Sequence, residues 1–277
     1  MTRVWDTETL SQDWSDAALV PFFKKGDKRC CSNYRGISLI DVSAKIFASI
    51  LLRRFQSERD SRTRPNQCGF RRNRGCTDKI FTLTRILEHR WCFQQKTVIC
   101  FVDFAAAFDS VDRDTLWKVM QADGIPPKLL NIIKTYYRSA RPRVRVYGEV
   151  SEPFEIRSGV RQGCVLSPTL FNYAIDWITT NALREFPGIT VGHNFSVKDL
   201  DYADDIAILG ETFADVQFAI NELQRVVSQI GMKVNASKTK ILTAESSPPD
   251  KTPIVLNGDI LDQKLESFIS NVAVALL

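Results

Sequence analysis

The sequence predicts an α+β fold built on an antiparallel sheet of ferredoxin-like, split βαβ order, and three observations predict it. TVICFVDF (97–104) is a short, dense run of apolar and β-branched residues, the pattern of a buried strand. DLDYADDIAIL (199–209) reads as two short strands around a tight turn. KTKILT reads as a further strand, placed after an amphipathic helix that Gly231 stops. Without the insertion that precedes the 199–209 hairpin, the order is strand, helix, strand pair, helix, strand. An antiparallel sheet backed by helices on one face follows.

The other elements follow from period and punctuation. Residues 41–59 predict a helix capped by Asp41, with Ile46, Phe47, Ile50 and Leu51 on one face. Residues 77–91 predict another, capped by Thr77 or Asp78, with Ile80, Leu83 and Leu87 inward. Between them lies QCGFRRNRG, a basic, glycine-flanked loop. Asp112 caps a helix from Arg113 to Ala122, and Gly124 lies past its end. Pro126 and Pro127 start a helix rich in Leu and Ile that ends near Arg138. PRVRVYGEVSEPFEIR alternates around Gly148 and predicts a hairpin. Ser167 and Pro168 open an amphipathic helix through Phe171, Ala174, Ile175 and Ile178. Thr212 caps a helix to Ile230 with Val216, Ile220, Leu223 and Val227 inward.

Composition narrows the classes. The 277 residues suffice for one large domain or two modest ones, and 44% apolar with 25% charged residues is ordinary for a folded soluble protein. The net charge of +5 is mild, but Lys and Arg dominate between Lys24 and Arg90, which suits a polyanionic partner. The seven cysteines form no CxxC pair and only two histidines are present, which argues against a zinc site and a disulfide framework and for reduced thiols. The N-terminus has no basic start and no apolar core, so a signal peptide is not expected. The longest apolar stretch, Val98 to Phe108, is too short to span a bilayer. An intracellular protein of the nucleus or cytoplasm is expected, not secreted and without a membrane partner.

The informative feature is acid inside apolar strands. Asp103 sits in VICFVDFAAAF, and Asp204 and Asp205 sit in LDYADDIAIL. A carboxylate there costs several kcal/mol unless it is paired or bound to metal. Adjacent aspartates also raise each other's pKa. A divalent cation removes both problems, and hard oxygen ligands with no His or Cys nearby select magnesium. Successive strand residues face opposite ways, so Asp204 and Asp205 reach one metal only from a turn. Three carboxylates with two magnesium ions suit in-line phosphoryl transfer. The alternative is that the pair is simply two turn aspartates, since Asp favours turns. Asp103 is harder to explain that way.

FVDFAAAFDSVDR, SGVRQGCVLSPTLFN and YADD, in that order, resemble the A, B and C motifs of reverse transcriptases. NYRGISLIDVSAKIFASIL and QCGFRRNRGCTD resemble the fingers blocks of the non-LTR (LINE-like) retrotransposon branch, and GMKVNASKTK resembles its D motif. The resemblance runs from about Leu19 to Leu242. It implies a right-hand polymerase with fingers over 1–96 and a palm over 97–245, the two forming one domain over about 19–245. It also implies an RNA template, a DNA primer, dNTPs and two Mg2+ ions, with Mn2+ as a substitute. Asp103, Asp204 and Asp205 match the catalytic metal ligands. Phe108 matches the aromatic gate that excludes a 2′ hydroxyl, and Tyr202 the residue near primer end and template. Arg161, Gln162 and Gly163 match the block lining the nucleotide and template site. Lys24, Lys25 and Arg35 match positions that grip the triphosphate. Arg71, Arg72 and Arg74 are candidates for phosphate or template contact. Lys238 matches a lysine that acts as general acid toward pyrophosphate.

The pattern departs after motif D. Ser267 and Phe268 begin what resembles a primer-grip block, but the rest of 246–277 does not match it, and a missing thumb is expected. Two readings follow: a working polymerase core, or an inactive or adopted fragment that at most binds nucleic acid.

Overall fold

The apolar run predicted as a strand forms Thr97–Val102, buried along nearly its whole length in the computed structural model. It lies inside a five-stranded sheet. On one side it pairs antiparallel with Asp205–Gly210, Ile99 opposite Leu209 and Val102 opposite Ile206. That strand forms a hairpin with Asp199–Tyr202. On the other side Thr97–Val102 pairs antiparallel with Lys240–Ala244, and Asp262–Leu265 adds a parallel edge strand. Without that edge strand the sheet order is the ferredoxin-like one expected.

Helices cover both faces of this sheet, not one. Ile99, Leu200, Leu209 and Leu242 share a face and pack on Leu83, Ile86 and Leu87 of the helix Cys76–Cys92. The opposite face takes the helix Phe213–Gln229, so closely that a Cβ on Gly210 would meet Val216 Cγ2 at 2.7 Å. A strand with no polar side needs two covering layers. Residues 63–96, read as fingers, pack with the palm sheet because the apolar stripe of Cys76–Cys92 covers it.

The structure describes residues 2–11, 14, 16–60, 63–71, 73–192, 195–244 and 252–265, so Arg72, Ser267 and Phe268 lie outside the described residues. The chain forms two compact units, one from Met1–Arg62 with Phe108–Tyr173, the other from Thr63–Ala107 with Ala174–Leu277. The sheet above belongs to the second. The first unit holds a four-stranded sheet in the order Tyr34–Ile40, Asp16–Phe23, Arg141–Val146, Glu149–Val150. Its last two strands form the hairpin predicted around Gly148, with Tyr147 and Gly148 at φ +50° and +89°. Arg141–Val146 also pairs in parallel with Asp16–Phe23, a distant partner that no local pattern announces.

Helix starts follow local chemistry. Asp41 accepts the Ser43 amide at 2.8 Å ahead of Val42–Asp60, and Asp112 accepts the Thr115 amide at 2.8 Å ahead of Arg113–Ala122. Thr212 and Asp215 form a reciprocal capping box at the start of Phe213–Gln229. Two details differ from expectation. Gly75, not Thr77 or Asp78, precedes Cys76–Cys92, and Asp78 reaches back to the Gly75 amide at 2.8 Å from the first turn. Ile46 is exposed, while Ala44, Phe47, Ala48 and Leu51 carry the buried stripe of Val42–Asp60. Among the described residues no helix is long and apolar enough to cross a membrane.

Candidate active site

The second unit gathers Asp103, Asp204 and Asp205 at one end of its sheet. Val102 pairs with Ile206, so Asp103 and Asp205 stand one residue beyond that rung on neighbouring strands. Tyr202 pairs with Asp205 across a two-residue turn made of Ala203 and Asp204. The turn takes Asp204 out of the strict alternation of a strand. Burial of its carboxyl group, then the charges of Asp204 and Asp103, push Asp205 up to about 6. Carboxylates that disfavour one another's ionisation are arranged for a cation.

Motif D pins Asp103 from behind. The Asp103 carbonyl accepts the Asn235 amide at 2.8 Å, and the Asp103 amide donates to Thr239 Oγ1 at 3.3 Å. The Ala105 amide donates to the Lys233 carbonyl at 2.9 Å. This loop also brings Lys238 to the site, its Nζ 3.6 Å from Asp103 Oδ2. That oxygen is buried and has no hydrogen-bond partner. An orphaned carboxylate oxygen beside two further aspartates fits a hard divalent ion. Among the described residues no group of three or more His, Cys, Asp or Glu side chains is already gathered as a metal cluster.

The sequence reading missed what braces the hairpin. Gln67, fully buried, accepts the amides of Gly69 and Ala203 on its Oε1 at 2.7 and 2.9 Å. Its Nε2 donates to the Ala203 carbonyl at 3.4 Å. Residues 66–68 run beside the hairpin as an extra edge, with the Cys68 amide on the Asp201 carbonyl at 3.1 Å. Arg64 pairs with Asp199 and, at 3.2 Å, with Asp201, and donates to Thr179 Oγ1. Both aspartates are buried, and burial followed by the Asp199 charge raises Asp201 well above the carboxylate range, with Arg64 opposing. The rule that singled out Asp103, acid inside an apolar strand, applies equally to Asp199 and Asp201. Gln67 gave no such signal.

The basic loop residues divide. Arg71 donates to the carbonyls of Arg64 and Gln67, both at 3.1 Å, and so ties its own loop. Arg74 is exposed.

In the first unit, Phe108 stacks on Phe171 with centroids 4.4 Å apart and planes 15° apart, half-buried. Gln162 is held by its Nε2 on Asp109 at 2.9 and 3.0 Å, and its carbonyl accepts the Ser38 amide at 2.8 Å. Gly163 has φ +100°, and a Cβ there would sit 2.6 Å from the Ser38 carbonyl oxygen. Its close approach is thus to the Tyr34–Ile40 strand. Arg161 is turned inward. It is buried, donates to the Tyr136 carbonyl and lies 4.8 and 5.2 Å over the rings of Tyr136 and Tyr137. Its Nη2 alone meets the Tyr136 and Tyr137 carbonyls, while Nε and Nη1 are buried without a hydrogen-bond partner. Lys24, Lys25 and Arg35 are exposed on the Asp16–Phe23 and Tyr34–Ile40 hairpin.

The chain resembles proteins of one kind. It is 28% identical over 89% of its length to the Transposon TX1 uncharacterized 149 kDa protein of Xenopus laevis, covering 19% of that protein. It is 27% identical over 80% of its length to the Retrovirus-related Pol polyprotein from type-2 retrotransposable element R2DM of Drosophila melanogaster, covering 21% of it. It is 28% identical over 91% of its length to the Probable RNA-directed DNA polymerase from transposon BS of the same fly, covering 28%. The chain therefore spans less than a third of these relatives. In structure, apo telomerase from Candida tropicalis matches 94% of this chain and 59% of its own, with a TM-score of 0.67 at 12% identity, a likeness of fold. Residues 23–262 match the family described as Reverse transcriptase (RNA-dependent DNA polymerase), and with motifs A, C and D meeting at one sheet end, the chain belongs to that family.

Proposed function

We propose that this chain adds deoxynucleotides to a primer 3′ end on an RNA template, as the fingers-and-palm core of a non-LTR retrotransposon polymerase. The observation that carries the reading is the meeting of Asp103 and Asp205 beyond the Val102–Ile206 rung, with Asp204 in the adjoining turn. Asp103, Asp204 and Asp205 would hold two Mg2+ ions, or Mn2+ in their place. Such ions lower the pKa of a hydroxyl nucleophile and neutralise a triphosphate. The Lys238 ammonium, already beside Asp103, supplies a proton to the departing pyrophosphate. Tyr202 flanks the catalytic turn and would contact the primer end. Phe108 takes the role of sugar gate, with its ring orientation set by Phe171. Gln162, oriented by Asp109, and Gly163 serve the nucleotide. Lys24, Lys25, Arg35 and Arg74 neutralise phosphates from exposed positions. Arg161 is left out because it is buried, and Arg71 because its guanidinium ties its own loop to the Arg64 and Gln67 carbonyls.

The test is extension of a primed RNA template with dNTPs and Mg2+. Extension that disappears in Asp204→Asn supports the reading. Salt-sensitive binding without extension leaves only a nucleic-acid-binding fragment. No binding at low salt overturns both.

A further inference from the structure

We infer that Gln67 is a positioning residue for the catalytic turn, acting through the Ala203 backbone to hold Asp204 and Asp205 where they can take a cation. The inference rests on the proposed carboxylate site and adds a residue to its support.

Three observations carry it. First, Ala203 sits at φ +57°, a left-handed conformation that non-glycine residues rarely adopt. Such a conformation is strained and persists only where the surroundings over-determine it. Second, one side chain braces this two-residue turn. Gln67 takes the Ala203 amide on Oε1 and offers Nε2 to the Ala203 carbonyl, so it binds both backbone groups of the strained residue. The same Oε1 takes the Gly69 amide at 2.7 Å, which fixes the side chain to its own loop. Gln67 is fully buried, so water does not compete for these bonds. Third, the loop has been shaped to reach the turn. A Cβ on Gly69 would stand 2.2 Å from the Ala203 amide nitrogen, closer than any side chain allows.

The chemistry needs both halves of an amide. A carboxylate at this position keeps the acceptor and loses the donor. A hydrocarbon fills the space and makes neither bond. Groups that orient metal ligands in this way typically account for a 10–100-fold change in metal affinity.

The experiment measures Mn2+ binding to the full chain by electron paramagnetic resonance, for wild type, Gln67→Met and Gly69→Ala, with thermal unfolding of each. Methionine keeps the volume of glutamine, so a role in packing alone predicts wild-type affinity. The expected result is Mn2+ affinity weakened about tenfold or more in both variants, with cooperative unfolding retained. Wild-type affinity in a folded Gln67→Met overturns the inference. Amide hydrogen exchange of the wild type reads the latch whether or not the variants fold. Slow exchange at Ala203 and Gly69 supports it, and exchange at the rate of an open turn overturns it. No Mn2+ binding by the wild type counts against the carboxylate site itself, and the exchange rates still decide the latch.

Discussion

The two units treat their charged residues in opposite ways. In the second unit the acids sit on strands whose backbone is fixed from several sides: Asp103 by Asn235 and Thr239, the 199–205 hairpin by Gln67 and Arg64. In the first unit the bases Lys24, Lys25 and Arg35 stand exposed on a hairpin. The difference suits the roles proposed for these charges. Carboxylates for a metal need fixed positions, since coordination depends on distance and angle. Phosphate-neutralising cations act over a Debye length and tolerate movement. Arg161 marks the limit of that division, because a buried arginine in the first unit is as tightly held as any aspartate in the second.

The comparison can be broken most severely at the carboxylates. Asp205→Asn should abolish Mg2+-dependent extension and Mn2+ binding while leaving the fold intact. The pH dependence is also specific. The Asp205 pKa is raised from 3.8 to about 6, so its contribution to stability is full below 3.8 and is lost as pH rises through 6. Mg2+ should therefore raise the melting temperature more at pH 8 than at pH 5, and Asp205→Asn should remove that difference in a fluorimetric melt.

Next in size is Arg64→Met, which leaves Asp199 and Asp201 buried without their cation. Breaking such a pair typically costs about 3–5 kcal/mol. Asp201 is raised, so the deficit should grow as pH rises, readable as urea midpoints at pH 5 and pH 8. Equal midpoint shifts at the two values would show that the ion pair is not what holds the hairpin.

Gly163→Ala should destabilise by about 1–3 kcal/mol, through positive φ and the clash with the Ser38 carbonyl. A neutral result in chemical denaturation would mean that the motif B loop adjusts freely. The smallest stability effect belongs to Lys24→Ala with Lys25→Ala, within about 0.5 kcal/mol. Their effect should appear in binding of primed RNA instead. The slope of log affinity against log salt should fall by about 0.7–0.9 for each phosphate no longer neutralised.

Much of the second unit was legible because its signals are short-range. The acid in VICFVDFAAAF, the YADD turn, the Thr212 cap and the inward stripe at Val216, Ile220, Leu223 and Val227 all depend on neighbours within a few residues. What stayed hidden depends on partners distant in sequence. Nothing near Arg141–Val146 names Asp16–Phe23 as its neighbour. Nothing in SGVRQG says that its arginine turns inward to Tyr136 and Tyr137 while its glutamine turns to Asp109.

The sequence by itself determined the main helices, the Asp41, Asp112 and Thr212 caps, the order of palm strands, the three aspartates as candidates and the family to which they point, because each is written in local period, turn chemistry or a contiguous motif. Only the tertiary structure decided that residues 63–96 cover the palm sheet, that Gln67 and Gly69 close on Ala203, and that Arg64 neutralises Asp199 and Asp201. The physical reason is the same in each case. A buried polar group must find its partner wherever the fold delivers one, and an apolar face must be covered by whichever helix reaches it.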